Sequence, residues 1–491
     1  MLPGCFASGR AVDQPSNPGE SVRVSADPVP ESSSAQYGGR IVAVEPGGNE
    51  RVPDADRHGR PRQLFWTWTS PNLEFATIFV GVLSVQVFRM TFGEAVAAIL
   101  LGNVLASLAH GVLSARGPAA GVPQMVLGRL AFGYRGNVLP AGLMTITSGF
   151  GWFAVNSVSA SFALSSLTGV SPVLWLVVVV LVQVGIAFFG HNLVQAFERV
   201  AFPVLAVIFL IGAVIVLTRS DASFVPADGG VGGVGGVGGF LLTVGAVFGY
   251  SAGWSPYAAD YSRYLPADSP RLRTGLAAGV GLFSSCTILM IVGAASVSAA
   301  AAAGITSDNP TTAYVGVLPG VLANLTLLAI AVGAVAANVL NVYSGAMAFL
   351  SMGFRIPLER ARAVVAAAFG VVGFVIALVA LGDAAIGYEN FLLVIVYWIG
   401  PWLGVVLTDQ YLRRGALPVG SLYDRTYRNP AGIIALVVGI VVSVGLFSNQ
   451  SLFVGLGPRV FPDIGDVAFL VGIVLSAALY ALLHPRLTVR S

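Results

Sequence analysis

Two pairs of polar and aromatic residues at helical spacing lie inside long apolar stretches of this sequence. Trp152 and Asn156 are four residues apart and therefore share one face of a helix, as do Asn338 and Asn341, which are three apart. An indole ring one turn from a carboxamide suits a planar heterocycle that carries both hydrogen-bond donors and acceptors. Two further carboxamides without a charged partner suit a neutral ligand better than an ion. Packing and hydrogen bonding between helices are the alternative interpretation of both pairs.

A third segment, residues 247–260, combines aromatic residues with residues that interrupt helices. Two glycines, two serines and a proline lie within eight residues, which disfavours an unbroken helix. Broken helices in secondary transporters expose backbone carbonyls and amides to substrate and coupling ion. Tyr250 and Trp254 flank the predicted break, Ser251 and Gly253 lie within it, and all four are candidate substrate contacts. A simple proline kink with packed aromatic residues is the alternative.

Charged residues occur mainly near the ends of the apolar stretches. Asp260 and Arg263 mark one end of the sixth stretch, where we expect a structural or gating ion pair. Asp383 and Glu389 border the tenth stretch, and a gating or proton-carrying role stays open for both. Arg89 near the end of the first stretch has no predicted role beyond reaching the membrane interface.

The elements that must position these residues are membrane helices. Only 10% of the 491 residues are charged and 56% are hydrophobic, which excludes a soluble protein. Twelve stretches are long enough to cross the hydrocarbon of a lipid bilayer. We predict spans at 73–92, 95–115, 137–167, 171–189, 193–217, 239–263, 274–303, 318–350, 363–381, 385–411, 431–447 and 466–483.

The arginines predict the orientation of these spans. All 26 basic residues are arginines, and with a cytoplasmic N-terminus only Arg89, Arg219 and Arg459 fall near outer ends, which leaves 23 near the cytoplasm. Positive residues accumulate on the cytoplasmic side of membrane proteins, so we expect both termini in the cytoplasm. The plasma membrane is the expected location. Residues 1–63 have no apolar period and predict a disordered cytoplasmic tail.

Several classes of protein are disfavoured by what the predicted spans contain. A membrane-embedded enzyme would need clusters of His, Asp or Glu within the spans, and a channel would need filter-like carbonyl motifs or rings of charge. Cys5 and Cys286 lie far apart and lack metal-ligand spacing, so we expect neither a metal site nor a cofactor. We infer no nucleic-acid partner and no obligate protein partner. The lipid bilayer is the expected surrounding, and the oligomeric state stays open.

Four motifs follow one another in a specific order and spacing. They are Gly121–Val126 leading to Arg129 and Phe132, Gly151–Asn156, Gly253–Trp254 with Ala258–Tyr261, and Asn341–Ser344. Over about 64–485, the chain resembles the nucleobase-cation symporters, and specifically their purine-cytosine permease branch. The resemblance implies a secondary active transporter that imports a nucleobase or related neutral heterocycle, such as cytosine or a purine, by alternating access.

The resemblance also implies a fold and a site. The fold is all-α and LeuT-like, with inverted repeats formed by helices 1–5 (about 73–217) and helices 6–10 (about 239–411), helices 11 and 12 (about 431–483) appended, and helices 1 and 6 broken. In the implied site, Trp152 stacks on the base and Asn156 hydrogen-bonds it. Asn338 and Asn341 contact the base from helix 8, and Tyr250–Trp254 supplies backbone contacts and an opposing aromatic ring.

The coupling ion is predicted from a departure from the family pattern. Sodium-dependent relatives place serine or threonine hydroxyls on helix 8 before the asparagine, whereas residues 331–337 contain none. Sodium is a hard cation that prefers oxygen ligands, so we favour proton coupling. A LeuT-like symporter of an amino acid or other zwitterion, and a sodium-coupled carrier of hydantoin or allantoin type, are the alternatives.

Overall fold

The computed structural model of this chain describes residues 48–189, 191–226, 235–305, 309–354, 356, 358–414 and 416–487. Its helices, in chain order, are α1 (Gln63–Thr69), α2 (Phe75–Gln86), α3 (Phe92–Ser114), α4 (Gly117–Ala120), α5 (Gln124–Leu127), α6 (Arg129–Phe132), α7 (Val138–Ile146), α8 (Phe153–Thr168), α9 (Pro172–Phe189), α10 (His191–Arg219), α11 (Gly236–Ala252), α12 (Ala258–Ser262), α13 (Arg271–Ala302), α14 (Pro310–Gly316), α15 (Gly320–Ser351), α16 (Leu358–Ala380), α17 (Ala384–Leu412), α18 (Pro430–Phe447), α19 (Leu456–Val460) and α20 (Ala468–Leu487). One short antiparallel pair joins β1 (Asn449–Gln450) to β2 (Phe453–Val454). The described chain is thus almost entirely helical, as expected for a bundle whose backbone must satisfy its own hydrogen bonds in lipid.

The long helices coincide with the predicted spans. Within the described ranges, ten helices are long and apolar enough to cross a membrane, and two shorter apolar helices cover Phe75–Gln86 and Pro172–Ile186. Each predicted span therefore contains an apolar helix, although the number of crossings stays a prediction for the two shorter ones.

Span 1 differs most from its predicted limits of 73–92. It begins at Gln63 with α1, passes through a 3₁₀ turn at Ser70–Asn72 and an extended Glu74, and continues as α2. The sequence hides this start because α1 and the turn are rich in polar side chains. The predicted end at residue 92 is also wrong, since Arg89 adopts a left-handed conformation (φ 59°) in the turn before α3. A capping box between Thr91 and Glu94 then starts α3.

The predicted disordered tail extends too far along the chain. Residues 48–62 pack against the bundle, and Val52 is fully buried with its amide donating to the Gly121 carbonyl at 2.9 Å. The Arg57 guanidinium donates to the carbonyl oxygens of Val52 (3.0 Å) and Pro118 (2.6 Å). Burial of Val52 and these backbone contacts stabilise the segment, while residues 1–47 lie outside the described residues.

Two of the long helices change geometry where the candidate residues lie. Between α7 and α8, residues Thr147–Trp152 form a π-helical segment, a feature that often occurs at functional sites. Between α11 and α12, a turn at Gly253 and Trp254 leads into a 3₁₀ turn at Ser255–Tyr257 that contains Pro256. Both irregular segments therefore sit beside the residues that the sequence singles out.

Close backbone contact joins α2 to α13, which also packs against α1 and α3. A Cβ atom added at Gly81 would lie 1.8 Å from the Met290 carbonyl oxygen, and one added at Gly293 would lie 1.8 Å from the Ile78 carbonyl oxygen. Small residues let membrane helices approach this closely and gain dispersion energy. The two glycines thus set the distance between the first and seventh spans.

We expect Gly81→Ala to destabilise the protein, because the added methyl group must push α2 away from the Met290 backbone. Overpacking of this kind typically lowers the free energy of unfolding by about 1–3 kcal/mol. The measurement is the apparent melting temperature of the detergent-solubilised protein. Gly185→Ala on α9 is the control, since a Cβ there meets no atom within 4 Å. Equal melting temperatures for the two variants would contradict the close contact.

Candidate functional site

Asn338 on α15 lies at the centre of a buried amide network. Its Nδ2 donates to the Phe153 carbonyl oxygen at 2.9 Å and to Gln183 Oε1 at 3.0 Å. Its Oδ1 accepts from Asn156 Nδ2 at 2.9 Å and from Asn341 Nδ2 at 3.2 Å. Protein groups thus occupy both ends of this carboxamide. This arrangement fits the interhelical clamp that was the alternative prediction for Asn338.

Of the two neighbouring asparagines, Asn156 keeps an acceptor without a partner in the part of the chain that the structure describes, whereas that of Asn341 is occupied. Asn156 is 1% exposed, and its Oδ1 has no hydrogen-bond partner among the described residues. Asn341 Oδ1 accepts from the Tyr257 hydroxyl at 2.8 Å. A buried acceptor without a partner costs free energy, so Asn156 Oδ1 marks a place where a ligand can donate.

Trp152 lies in an aromatic compartment between three helices. Its ring makes edge contacts with Tyr250 on α11, at a centroid distance of 5.3 Å, and with Phe391 on α17, at 5.0 Å. A Cβ atom added at Gly253 would come within 3.2 Å of Trp152 Cζ2, so the interruption of span 6 lies directly beside the indole. The compartment is one turn of α8 from Asn156.

The interruptions of spans 1 and 6 are hydrogen-bonded to each other. Trp254 Nε1 donates to Asn72 Oδ1 at 2.9 Å. Asn72 Nδ2 in turn donates to the carbonyl oxygen of Trp68, one turn earlier in span 1, at 2.7 Å. The Thr77 hydroxyl donates to the Asn72 carbonyl oxygen at 2.6 Å. These bonds satisfy backbone groups that the interruption of span 1 leaves without helical partners.

Tyr250 connects span 6 to an acidic residue in span 1. Its hydroxyl lies 2.5 Å from Thr77 Oγ1 and within hydrogen-bond distance of Glu74 Oε1, at 3.2 Å. Glu74 is 2% exposed, and its Oε2 has no hydrogen-bond partner among the described residues. A carboxyl group in this position is the main feature that the sequence-based site lacks.

Ser251 faces away from the other predicted contacts. Its hydroxyl donates to Asn103 Oδ1 on α3 at 2.5 Å, and Asn103 Nδ2 approaches the Met290 sulfur at 3.4 Å. Only the backbone of Ser251 is left for the interruption of span 6. A substrate contact through this residue stays a prediction.

Asp260 and Arg263 bind different partners. Asp260 Oδ1 accepts from the backbone N–H of Gln124 at 2.8 Å. Arg263 donates to the Gly48 carbonyl oxygen at 2.9 Å and to the Tyr343 hydroxyl at 3.2 Å. Both residues thus join loops and helix ends, and a gating role for them stays a prediction.

Those contacts belong to a cluster at one end of the bundle that we call the arginine-rich face, formed by Arg57, Arg129, Arg263 and Arg413. Arg129 is 3% exposed and donates to the carbonyl oxygens of Leu422 (3.0 Å) and Ser351 (2.8 Å). Arg413 pairs with Asp409 at 2.8 Å. Arginines bound to backbone carbonyls therefore close this end of the bundle.

A cavity of about 550 Å³ opens toward the other end, between α2, α8, α16 and α17. Its lining is mostly apolar and includes Tyr388 and Phe391, and the Trp152 ring contacts both side chains. Asp383 lines the cavity and caps α17 through the Ile386 amide. The cavity therefore extends toward the aromatic compartment but ends at the rings of Tyr388 and Phe391, which lie between the cavity and Trp152.

The sequence-based prediction missed Glu74, Asn72, Gln183 and Tyr257. The first two lay at the poorly defined start of span 1. Gln183 is the lone amide in the apolar run of α9, and such a residue inside a membrane helix is a signal that could have been used. Tyr257 gave no signal of its own, because its partner Asn341 is 84 residues away.

Comparison with known proteins identifies a family. Residues 51–472 match the profile described as "Permease for cytosine/purines, uracil, thiamine, allantoin". The chain is 28% identical over 463 residues to YxlA of Bacillus subtilis, which covers 90% of this chain and 96% of that protein. It is 27% identical over 449 residues to the purine-cytosine permease FCY2 of Saccharomyces cerevisiae, which covers 85% of this chain and 81% of the relative.

Solved structures of Mhp1 share the fold. The inward-facing conformation superposes with a TM-score of 0.69 at 20% identity and covers 90% of this chain and 94% of Mhp1. Mhp1 in a closed conformation with bromovinylhydantoin bound, described as a nucleobase-cation-symport-1 family transporter, gives a TM-score of 0.68 at 20% identity and covers 89% of this chain and 94% of Mhp1. The expected LeuT-like all-α fold is thereby confirmed.

We expect Asp260→Ala to lower the melting temperature in detergent, because the buried backbone N–H of Gln124 then loses its acceptor, at a cost of about 1–3 kcal/mol. Asp260→Asn retains an oxygen in the same place and should stay close to the unsubstituted protein. If Asn and Ala lower the melting temperature equally, the charge of Asp260 and its attraction to Arg263 matter more than the hydrogen bond.

Proposed function

This chain belongs to the family of permeases for cytosine/purines, uracil, thiamine and allantoin, and from that premise we propose that it imports a nucleobase by proton-coupled alternating access. The chain is a membrane transporter and not an enzyme. The proposal covers the substrate contacts, the direction of transport, the coupling ion, and a plasma-membrane location with both termini in the cytoplasm.

The observation that carries the proposal is the pairing of an aromatic compartment with an unpartnered carboxamide oxygen. Trp152 ends the π-helical segment and Asn156 follows one turn later on α8, beside helix interruptions that are bonded to each other through Asn72 and Trp254. A nucleobase offers an aromatic plane for the first residue and N–H groups for the second. A zwitterionic amino acid would instead require a partner for each of its charges.

The two ends of the bundle support import. The cavity beside Asp383 leads toward Trp152, whereas residues 48–62 and the arginine-rich face close the other end. With the arginine-rich face in the cytoplasm, this conformation is open to the outside as far as Tyr388 and Phe391 and is closed toward the inside. Release then requires that the bonds of Arg57 and Arg263 to backbone carbonyls separate.

Glu74 is the residue that we propose to carry the coupling proton. It is buried at the interruption of span 1 and bonded to Tyr250, and no described arginine pairs with it. An isolated ionised carboxyl in a low-dielectric interior is costly, so the closed site favours the protonated form. Access to water on either side then allows the proton to bind or leave.

The packing around this interruption also favours a proton over a sodium ion. A Cβ atom added at Gly333 on α15 would lie 2.5 Å from the Leu73 carbonyl oxygen, so the backbone of α15 contacts the interruption of span 1 directly. Residues 331–337 supply no hydroxyl there. Glu74 supplies the carboxyl group at this position, and a proton needs only that one group.

Uptake of a radiolabelled base panel, covering cytosine, adenine, hypoxanthine, uracil and allantoin, tests the substrate class in a transport-null host. We expect at least one base to accumulate, and Trp152→Ala and Asn156→Ala to reduce that uptake at least about tenfold through lost stacking and hydrogen bonding. Ser166→Ala, at the exposed end of α8, is the control. Normal uptake by both site variants would place the site elsewhere.

Glu74→Gln tests the coupling. This variant keeps the shape and the contact with Tyr250 but cannot release a proton, so we expect it to lose accumulation against a gradient and still exchange external for internal base. Glu94→Gln is the control, because Glu94 is exposed and only caps α3. Protonophore should abolish accumulation by the unsubstituted protein. Accumulation that requires sodium and survives protonophore would contradict the proposal and favour the sodium-coupled alternative.

A further inference from the structure

We propose that Asn338, held by Gln183 on α9 and Ser157 on α8, is a positioning residue that sets which atom of Asn156 faces the substrate. The consequence is a site that selects the substrate edge carrying an N–H donor. The inference rests on the proposed function, since it concerns the same site, and it assigns roles to Gln183 and Ser157, which lie outside the candidate substrate contacts.

One backbone carbonyl fixes the polarity of the whole network. The Phe153 carbonyl oxygen can only accept a hydrogen bond, so the Asn338 atom at 2.9 Å from it must be the donor Nδ2. Gln183 Oε1, at 3.0 Å from the same Nδ2, agrees with this assignment. Ser157 Oγ lies 2.9 Å from Gln183 Oε1 and 3.3 Å from Asn338 Nδ2, which joins α8, α9 and α15.

The fixed orientation of Asn338 then orients its two neighbours. Its Oδ1 can only accept, so the atoms that approach it from Asn156 and Asn341 must both be Nδ2. The Oδ1 of Asn156 consequently points away from Asn338, and it lacks a partner in the described part of the chain. Asn341 Oδ1 is occupied by the Tyr257 hydroxyl. Asn156 Oδ1 is therefore the acceptor that the three asparagines leave for a ligand.

A substrate with an N–H group at this point satisfies the acceptor. A substrate with a carbonyl oxygen there would place that acceptor against a second acceptor, Asn156 Oδ1. Leaving a buried polar group unsatisfied lowers affinity about tenfold or more. Rotation of the Asn156 amide could rescue such a substrate only by breaking its bond to Asn338. The anchored network thus converts an adaptable carboxamide into a selective one.

Gln183 is suited to anchoring because its helix offers no competing partner. It is fully buried, and α9 is otherwise apolar from Pro172 to Ile186. Interhelical hydrogen bonds of this kind are typical of polar residues in membrane helices. Its side chain reaches the substrate residues only through Asn338, so its effect on transport must be indirect.

The experiment compares adenine with hypoxanthine and cytosine with uracil. Within each pair an exocyclic amino donor is replaced by an oxo acceptor, and the adjacent ring nitrogen changes from an acceptor to an N–H donor. Each is measured as a competitor of labelled substrate in the full-length transporter. In the unsubstituted protein we expect the amino member of a pair to compete at least about tenfold better. In Asn338→Leu the ratio should fall toward one, because Asn156 is then free to rotate.

Smaller substitutions separate positioning from folding. Gln183→Leu and Ser157→Ala each remove part of the anchor and should lower the same ratio about twofold to tenfold. Ser161→Ala is the matched control, since Ser161 is buried one turn further on α8 and bonds only the Val158 carbonyl of its own helix. If Asn338→Leu does not fold, these three variants decide the question by the same ratio.

The outcomes distinguish this inference from the proposed function. If no base is transported or competes, the proposed function is wrong and the inference falls with it. If bases are transported but the unsubstituted protein prefers oxo over amino members, or the ratio is unchanged in Asn338→Leu, Gln183→Leu and Ser157→Ala, the positioning role alone is overturned. A loss of selectivity equally large in Ser161→Ala would also overturn it.

Discussion

A polar group inside a lipid bilayer must find its hydrogen-bond partner within the protein, because the hydrocarbon offers none. The architecture of this transporter depends on that constraint. Its interior contains interrupted helices and buried carboxamides, and each of these is costly unless another element satisfies it. The bonds of Asn338 to α8 and Gln183, and of Asn72 to Trp254, meet this requirement by joining helices that are far apart in sequence. The same bonds that permit a polar interior therefore also determine its geometry.

The site combines rigid and movable parts. Close backbone contacts at Gly81 and Gly293 hold α2 against α13, so span 1 and span 7 are suited to move as one unit. The arginine-rich face is different, since Arg57 and Arg263 bind carbonyl oxygens through side chains that can separate without disturbing a helix. Such an arrangement suits alternating access, in which a fixed site is exposed first to one side and then to the other.

Glu74 and Asn156 represent two ways of using an incompletely satisfied group. A buried carboxyl such as Glu74 can relieve its burial by holding a proton, whereas the carboxamide oxygen of Asn156 has no such option and can be satisfied only by a donor. In the proposed mechanism, proton and substrate meet different groups, and Tyr250 contacts both Glu74 and Trp152. Coupling between the two ligands can pass through this single aromatic side chain.

The sequence by itself determined the class of fold and the helices of most spans, and it singled out Trp152, Asn156 and Asn341 as candidates, because the period of apolar residues and the rarity of polar ones inside it are local properties. Only the tertiary structure decided the start of span 1, the partners of Glu74, the turn of Ser251 toward α3, and the division of labour between Asn338 and Asn156. A carboxamide has the same sequence signature whether it binds a ligand or a neighbouring helix. Its role is set by which atoms already have partners, and those partners come from helices that only the folded chain brings together.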